Sequence, residues 1–472
     1  MTMADAQAAR GRLPAPPHLP VIGWRLRGLR MLADPTEYFH RQYQRFGGIS
    51  AWDSANPRHV FVFDPEYLRL MFAEPELFIV DAFREVRMPE NSSFLRLSNG
   101  LLRLNGPKHR THRQLMTPAL HAKRVTRYLD AMVELTDRMM AGWQVGEVRP
   151  LERDMAQLVV NIAMRTIFDI DAPAEAAMLQ RLVDRLLGVA ASPATLLFPH
   201  DLPGTTFRTA LRTSERIERI LRGLIADKRD GARAHDDVLS AMITARDEHG
   251  AGLSDDDLVS EAYTSFCHDS NISTVLWALF LLDQHPAVLN EVVDELTEVL
   301  GGAPPTVDAF DRMPVLDAVL KEVLRILPPS PMLLRYTARP ADLGPYRLPE
   351  GALIFYSPYV THRIPELYPD PLRFDPDRWR SGPTPPGLAY LPFGAGSHHC
   401  LGKHFAVLEV KVVLAMLLQR FRPSLAPGAT VDRAMRISFV PKQGMPMVMR
   451  PIGTAMAPPV VRGNIRESVR LP

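Results

Sequence analysis

Phe393-Gly394-Ala395-Gly396-Ser397-His398-His399-Cys400-Leu401-Gly402 holds one of only two cysteines in the chain, on a glycine-rich loop that runs into an amphipathic helix. A lone cysteine on a tight loop presents a single thiolate to a metal. A structural zinc site asks for three or four nitrogen or sulfur ligands at regular spacings, whereas an iron porphyrin brings four nitrogens and needs one axial protein ligand. The thiol must ionise to bind, and ferric iron with loop N–H groups aimed at the sulfur lowers its pKa. Gly396 and Gly402 let backbone come close, and Phe393 is placed to keep water from the sulfur. Gly394-Ala395-Gly396 alone is a weak nucleotide-loop match, because neither a strand nor a ribose-binding acid accompanies it.

Working outward, no Gly/Ser linker or break in composition divides the 472 residues, so one large domain is expected. With 46% hydrophobic and 23% charged residues the chain can bury a sizeable core. A net charge of +2 is too balanced to suggest a nucleic-acid partner. Cys267 and Cys400 lie far apart in sequence, so nothing suggests a disulfide framework, and a reducing compartment fits. Residues Met1 to Arg12 contain no apolar run, so neither signal peptide nor membrane anchor is expected, and a cytoplasmic location follows. The expected divisions are a Pro-rich lead over 1–22, one domain over 23–450, and a flexible tail over 451–472, where Pro, Gly and Arg recur.

Asp34-Pro35-Thr36-Glu37 reads as cap, N1 proline and early acid of a helix that Gly47-Gly48 stops. Ile49 to Trp52 and His59 to Phe63 read as a β-hairpin. Helical periodicity then dominates, over about 121–145, 150–169, 174–190, 206–229, 236–247, 254–284 and 286–300. Short strand-like runs return at Arg335-Tyr336-Thr337, at Leu353 to Tyr356 and near 437–449. The result is a mostly α body with a small sheet.

The spacing Phe-x-x-Gly-x-x-x-Cys-x-Gly-x-x-x-Ala, from Phe393 through Gly396, Cys400 and Gly402 to Ala406, resembles the haem-binding signature of the cytochrome P-450 (haem-thiolate) family. The resemblance implies a triangular helical prism with a small β-rich subdomain. It makes residues 23–450 a haem-thiolate catalytic domain, with Cys400 the axial ligand of haem b (iron protoporphyrin IX). Lys321-Glu322-Val323-Leu324-Arg325 resembles the family's Glu-x-x-Arg pair, whose members share a helical face three residues apart. Arg378, within Phe374 to Trp379, would close a buried structural triad with Glu322 and Arg325. His109 and Arg113, with Arg335 and His398, match the family's partners for the two haem propionates.

Within Ser265-Phe266-Cys267-His268-Asp269-Ser270-Asn271, counting back from Gln284-His285-Pro286 aligns Asp269 and Ser270 with the acid and hydroxyl that relay protons to dioxygen in the family. Serine keeps the hydroxyl but lacks the methyl that restricts χ1 in threonine. Phe266 stands where the family has a small residue facing iron, so it is expected to narrow the pocket or to force the helix to rotate. Cys267 replaces a glycine. By resemblance, Met332, Leu333, Leu334 and Phe439 should also line a lipophilic substrate pocket.

The resemblance implies a monooxygenase of secondary metabolism, acting on a lipophilic small molecule by C–H hydroxylation or epoxidation. As no flavin or reductase region is fused to this chain, expected to be a monomer, electrons would come from a separate ferredoxin or flavodoxin and its reductase. Lys108, Arg110 and Lys403 are candidates to attract that acidic partner. Three alternatives are a peroxide-using or isomerase-like haem-thiolate enzyme, suggested by Phe266, Cys267 and Ser270; a non-catalytic haem-binding protein; and a zinc knuckle made from His398, His399, Cys400 and His404.

Overall fold

The computed structural model describes residues 11–18, 23–54, 56–81, 84, 86, 88–190, 192–231, 236–266, 270–436, 438–454 and 457–472. Local chemistry sets the first elements. Asp34 accepts the Glu37 N–H, Pro35 occupies the first turn, and Gly47, at φ 80°, ends the helix Pro35–Phe46. The hairpin Ile49–Asp53 and Asn56–Val62 follows and starts a five-stranded sheet. Asn56–Val62 pairs in parallel with Leu353–Tyr356, whose other edge carries Leu333–Thr337 and then Phe78–Ile79, both antiparallel. This register joins a strand near the N-terminus to one 300 residues later, and Arg335 comes to lie opposite Ile354.

Most of the remainder is helical. Leu151–Phe168, Pro173–Ala190, Thr206–Asp230 and Pro286–Leu300 lie within a residue or two of the periodic segments, while 121–145 divides into three short helical pieces. The expected helix 254–284 is present as Asp255–Phe266 and Ser270–Gln284, with Cys267, His268 and Asp269 between them outside the described residues. Ser270–Gln284 is apolar on every side, and Val275 to Leu282 are all at most 1% exposed, as suits a helix through the centre of a core. It packs against Lys403–Arg420, the helix that follows the cysteine loop. Among the described residues no single helix is long and apolar enough to cross a membrane.

Glu322 and Arg325, on helix Pro314–Ile326, tie the segment 362–379 to the core. Arg325 donates to Glu322 and to the carbonyls of His362, Pro371 and Arg373, while Glu322 accepts from Asp375 N, Arg378 Nε and Trp379 Nε1. Every lone pair and N–H that burial strips of water therefore has a partner. His362, whose pKa burial lowers to about 3 so that the ring is neutral near pH 7, donates to Arg325 O and accepts from Leu391 N–H, which links this network to the lead-in of the cysteine loop.

The C-terminal segment departs from the flexible tail read from its composition. Val461, Ile465, Val469 and Leu471 are buried, Val431 N donates to Arg462 O, and Arg470 N donates to Leu372 O. Ser468 accepts from the buried Arg363, and Glu467 pairs with the buried Arg433. Apolar residues four apart dock the segment, and two buried cations need its oxygens; Pro, Gly and Arg content concealed both.

Candidate functional site

The cysteine loop is closed by the Cys400 N–H donating to Phe393 O at 2.8 Å. Gly394 and Gly396 take φ of 67° and 71°, a region that glycine enters without strain, and a Cβ on Gly396 would meet the Phe72 ring at 3.0 Å. Gly402 differs. Its φ is ordinary and a Cβ there would meet no protein atom within 4 Å, yet it lines the cavity onto which Cys400 opens. Burial raises the Cys400 thiol, while the Gly402 N–H and the charges of Arg113 and Lys403 lower it; the thiolate is left for a metal to complete.

That cavity has a volume of about 540 Å³ and is mainly apolar. One edge is built from the predicted propionate partners. His109 and His398 stack with centroids 3.9 Å apart, both near pKa 4 because burial, reinforced by Arg113 and Arg335, disfavours their charged forms. His398 Nε2–H donates to Leu104 O, and its Nδ1 accepts from Ser397. His109 Nε2 is buried without a partner. Arg335, 6% exposed, lies between the rings of Phe72 and Tyr356 and donates to Leu334 O. Arg113 bridges to the loop, donating to the carbonyl and ring of His399.

An anionic, flat group fits these residues. A buried guanidinium with no carboxylate among its contacts with the described residues and an orphaned imidazole nitrogen both ask for an acid, and the space above Gly402 would be filled by a Cβ. Porphyrin propionates and the porphyrin edge meet those requirements.

The helices Asp255–Phe266 and Ser270–Gln284 contribute Thr264, Ser265, Ser270, Asn271 and Thr274 to the wall. Asp269 lies outside the described residues. Ser270 lines the cavity, and its carbonyl accepts from the hydroxyls of Ser273 and Thr274. Asn271 donates to the fully buried Glu409, whose carboxyl burial pushes up to about 8.

Met332, Leu333 and Leu334 line the cavity, but two other pocket candidates do not. Phe266 is 2% exposed, with its ring 6.0 Å from Phe168 in the core. The large ring gains most by leaving the cavity, and Thr264 and Ser265 face it instead. Phe439 is likewise in the core, against Trp277 and Tyr359, with its carbonyl accepting from Trp277 Nε1. Of the suggested docking cations, Lys108 lies 2.9 Å from Asp257 and Arg110 pairs with Glu76, both at exposed positions, while Lys403 is exposed beside the loop without a described acid. No group of three or more metal-ligating side chains converges among the described residues, which removes the basis of a zinc knuckle.

Sequence reading missed the pair His112 and Glu261. Both are buried, His112 Nδ1 lies 2.8 Å from Glu261 Oε1, and no local motif announces a contact across 149 residues.

A single cysteine on a tight loop at an apolar cavity with a cationic edge is what a haem-thiolate site requires, and comparison with known proteins gives the family. The family model for Cytochrome P450 matches residues 13–447. Cyclooctat-9-en-7-ol 5-monooxygenase of Streptomyces melanosporofaciens is 31% identical over 88% of this chain and 90% of its own length. Pentalenene oxygenase of Streptomyces avermitilis is 29% identical over 88% of this chain and 92% of its own. The fold matches that of a retinoic-acid-bound cyanobacterial CYP120A1 with a TM-score of 0.82, covering 94% of this chain and all of that one at 24% identity. The chain belongs to the cytochrome P450 family, the haem-dependent monooxygenases.

Proposed function

We propose that the protein inserts one oxygen atom of dioxygen into a C–H or C=C bond of a cyclic terpenoid, in the cytoplasm, using haem b and electrons from a separate ferredoxin or flavodoxin with its reductase. The observation that carries the reading is the position of Cys400 on an apolar cavity whose edge holds Arg335 and the unpartnered His109 nitrogen. When bound, the haem supplies the reductive activation of dioxygen. The chain's own groups do the rest. Cys400 would ligate the iron, with the Gly402 N–H on its sulfur, while Arg335, His109 and His398 would hold the propionates. Leu333, Leu334 and Met332 would enclose a lipophilic substrate and exclude water. Ser270 and Asp269 would hold and pass protons on the oxygen side. Lys403, exposed at the start of the helix that follows Cys400, would draw an acidic electron donor.

The choice of terpenoid is supported by relatives named for cyclooctatin and pentalenene chemistry. Cyclic sesquiterpenes and diterpenes should shift the haem spin state on binding, and turnover under ¹⁸O₂ with a redox partner should add one labelled oxygen. Turnover with peroxide but none with dioxygen would favour the peroxide-using reading instead, for which Ser270 in the hydroxyl position is the motive.

A further inference from the structure

Glu261 is a fully buried carboxylate on Asp255–Phe266, and both of its oxygens are used. Oε1 meets His112 Nδ1 at 2.8 Å, and Oε2 accepts the Leu101 N–H at 3.3 Å. The first bond reaches the helix Gly106–Leu120, which carries His109 and Arg113 at the haem edge; the second reaches the loop whose Leu101 and Leu102 line the cavity. Thr264 and Ser265, three and four residues on from Glu261 and so on the same helical face, line that cavity too.

The loop is pressed hard against this helix. A Cβ on Gly100 would come within 2.5 Å of Thr264 Oγ1 and 3.1 Å of Glu261 Oε2, which only a glycine avoids. Four residues on, Leu104 O accepts from His398 Nε2–H, two positions before the ligand cysteine. The stretch Gly100–Leu104 is thereby anchored at one end to Glu261 and at the other to the cysteine loop. His112 is fixed in turn by Asp257, 3.4 Å from its Nε2, which also pairs with Lys108.

We propose that Glu261 is a positioning residue for substrate: with His112 it holds the Leu101–Leu102 wall at a set distance from the haem, and so determines how large a molecule the cavity grips. A carboxylate suits the task because it accepts two bonds in different directions, each strengthened by its charge and by the dry surroundings. Removing it leaves His112 Nδ1 and the Leu101 N–H buried without partners, so the loop must move to reach water. The proposal concerns the geometry of the wall and does not depend on which lipophile is the substrate.

Azoles that coordinate haem iron test this without knowledge of the substrate. With iron held at Cys400, imidazole would stay close to the metal, whereas the added phenyl ring of 4-phenylimidazole would extend into the cavity that Leu101 and Leu102 line. In the holoprotein, Glu261→Ala should weaken 4-phenylimidazole binding at least tenfold and leave imidazole within twofold. Hydrogen exchange should quicken for the Leu101 to Leu104 amides and not for Val275 to Leu282. Glu261→Gln, which can still accept from Leu101 but loses the charge facing His112, should fall between; it is also the variant to use if the alanine form does not fold. Equal weakening of both azoles in Glu261→Gln, or unchanged binding of both, overturns the proposal. Unaltered exchange at Leu101 to Leu104 does so as well.

Discussion

Glu322 and Arg325 are one helical turn apart, neither side chain has any exposure, and two hydrogen bonds of 2.7 and 2.8 Å join them. Arg378 and Trp379 complete the carboxylate's partners from a segment more than 50 residues away. Removing one member strands a buried charge, which costs about 3–5 kcal/mol. Glu322→Ala should therefore lower stability to urea by that order or prevent accumulation of holoprotein. Arg378→Ala, which removes a 3.3 Å contact at the edge of the network, should cost less than half as much. Equal losses for the two would mean that the triad is not organised around the Glu322–Arg325 pair.

Arg335 has no carboxylate among its described contacts, and burial lowers its pKa, so under the proposed assignment an acid of the cofactor would offset its charge. Arg335→Ala should speed haem transfer to a scavenger such as apomyoglobin by tenfold or more, with Arg335→Lys intermediate because a point charge replaces the planar fork. His109→Ala should have a smaller effect in the same direction. Haem loss at the wild-type rate in Arg335→Ala would place the propionates elsewhere.

His112 is held near pKa 9: burial alone would lower it, but hydrogen bonds to Asp257 and Glu261 and their charges raise it further. A folded-state pKa above the unfolded value of about 6.5 gives stability that is complete below that pH and is lost as pH rises through 9. Burial raises Glu261, whose contribution is present in acid and lost as pH rises through its folded value, whereas Asp257, lowered chiefly by its bond to His112, loses its contribution only in acid. Unfolding free energy should fall by roughly 2 kcal/mol between pH 7 and 9.5. His112→Asn should be less stable at pH 7 and should flatten that slope. An unchanged slope would contradict the assignment.

The C-terminal segment is part of the core. Ile465 is fully buried, and Ile465→Ala should cost about 2–4 kcal/mol. Truncation after Thr454 should cost more, because Arg363 and Arg433 lose Ser468 O and Glu467 as partners. A truncated protein with the wild-type denaturation midpoint would show that the docked strap contributes nothing.

The cysteine loop and Glu322 with Arg325 were legible because their chemistry depends on spacing along one short stretch. Phe266 and Phe439 were not, because the rotation of a helix or strand about its axis is decided by packing against Phe168, Trp277 and Tyr359, none of them near in sequence. The ion pairs of Lys108 and Arg110 were hidden for a related reason: Asp257 and Glu76, their partners, are remote in the chain. The tail shows the weakness of composition, since three apolar residues four apart outweigh the Pro, Gly and Arg around them. Glu261 carried no signal, its meaning resting wholly on His112 and Leu101.

The central claim, that Cys400 is the thiolate ligand of a haem in this cavity, is tested most directly by the absorption spectrum of the reduced, carbon-monoxide-bound holoprotein. Thiolate ligation predicts a strongly red-shifted Soret band that is lost in Cys400→His. A folded, haem-loaded wild-type protein whose band lies where neutral histidine ligation puts it would contradict the account.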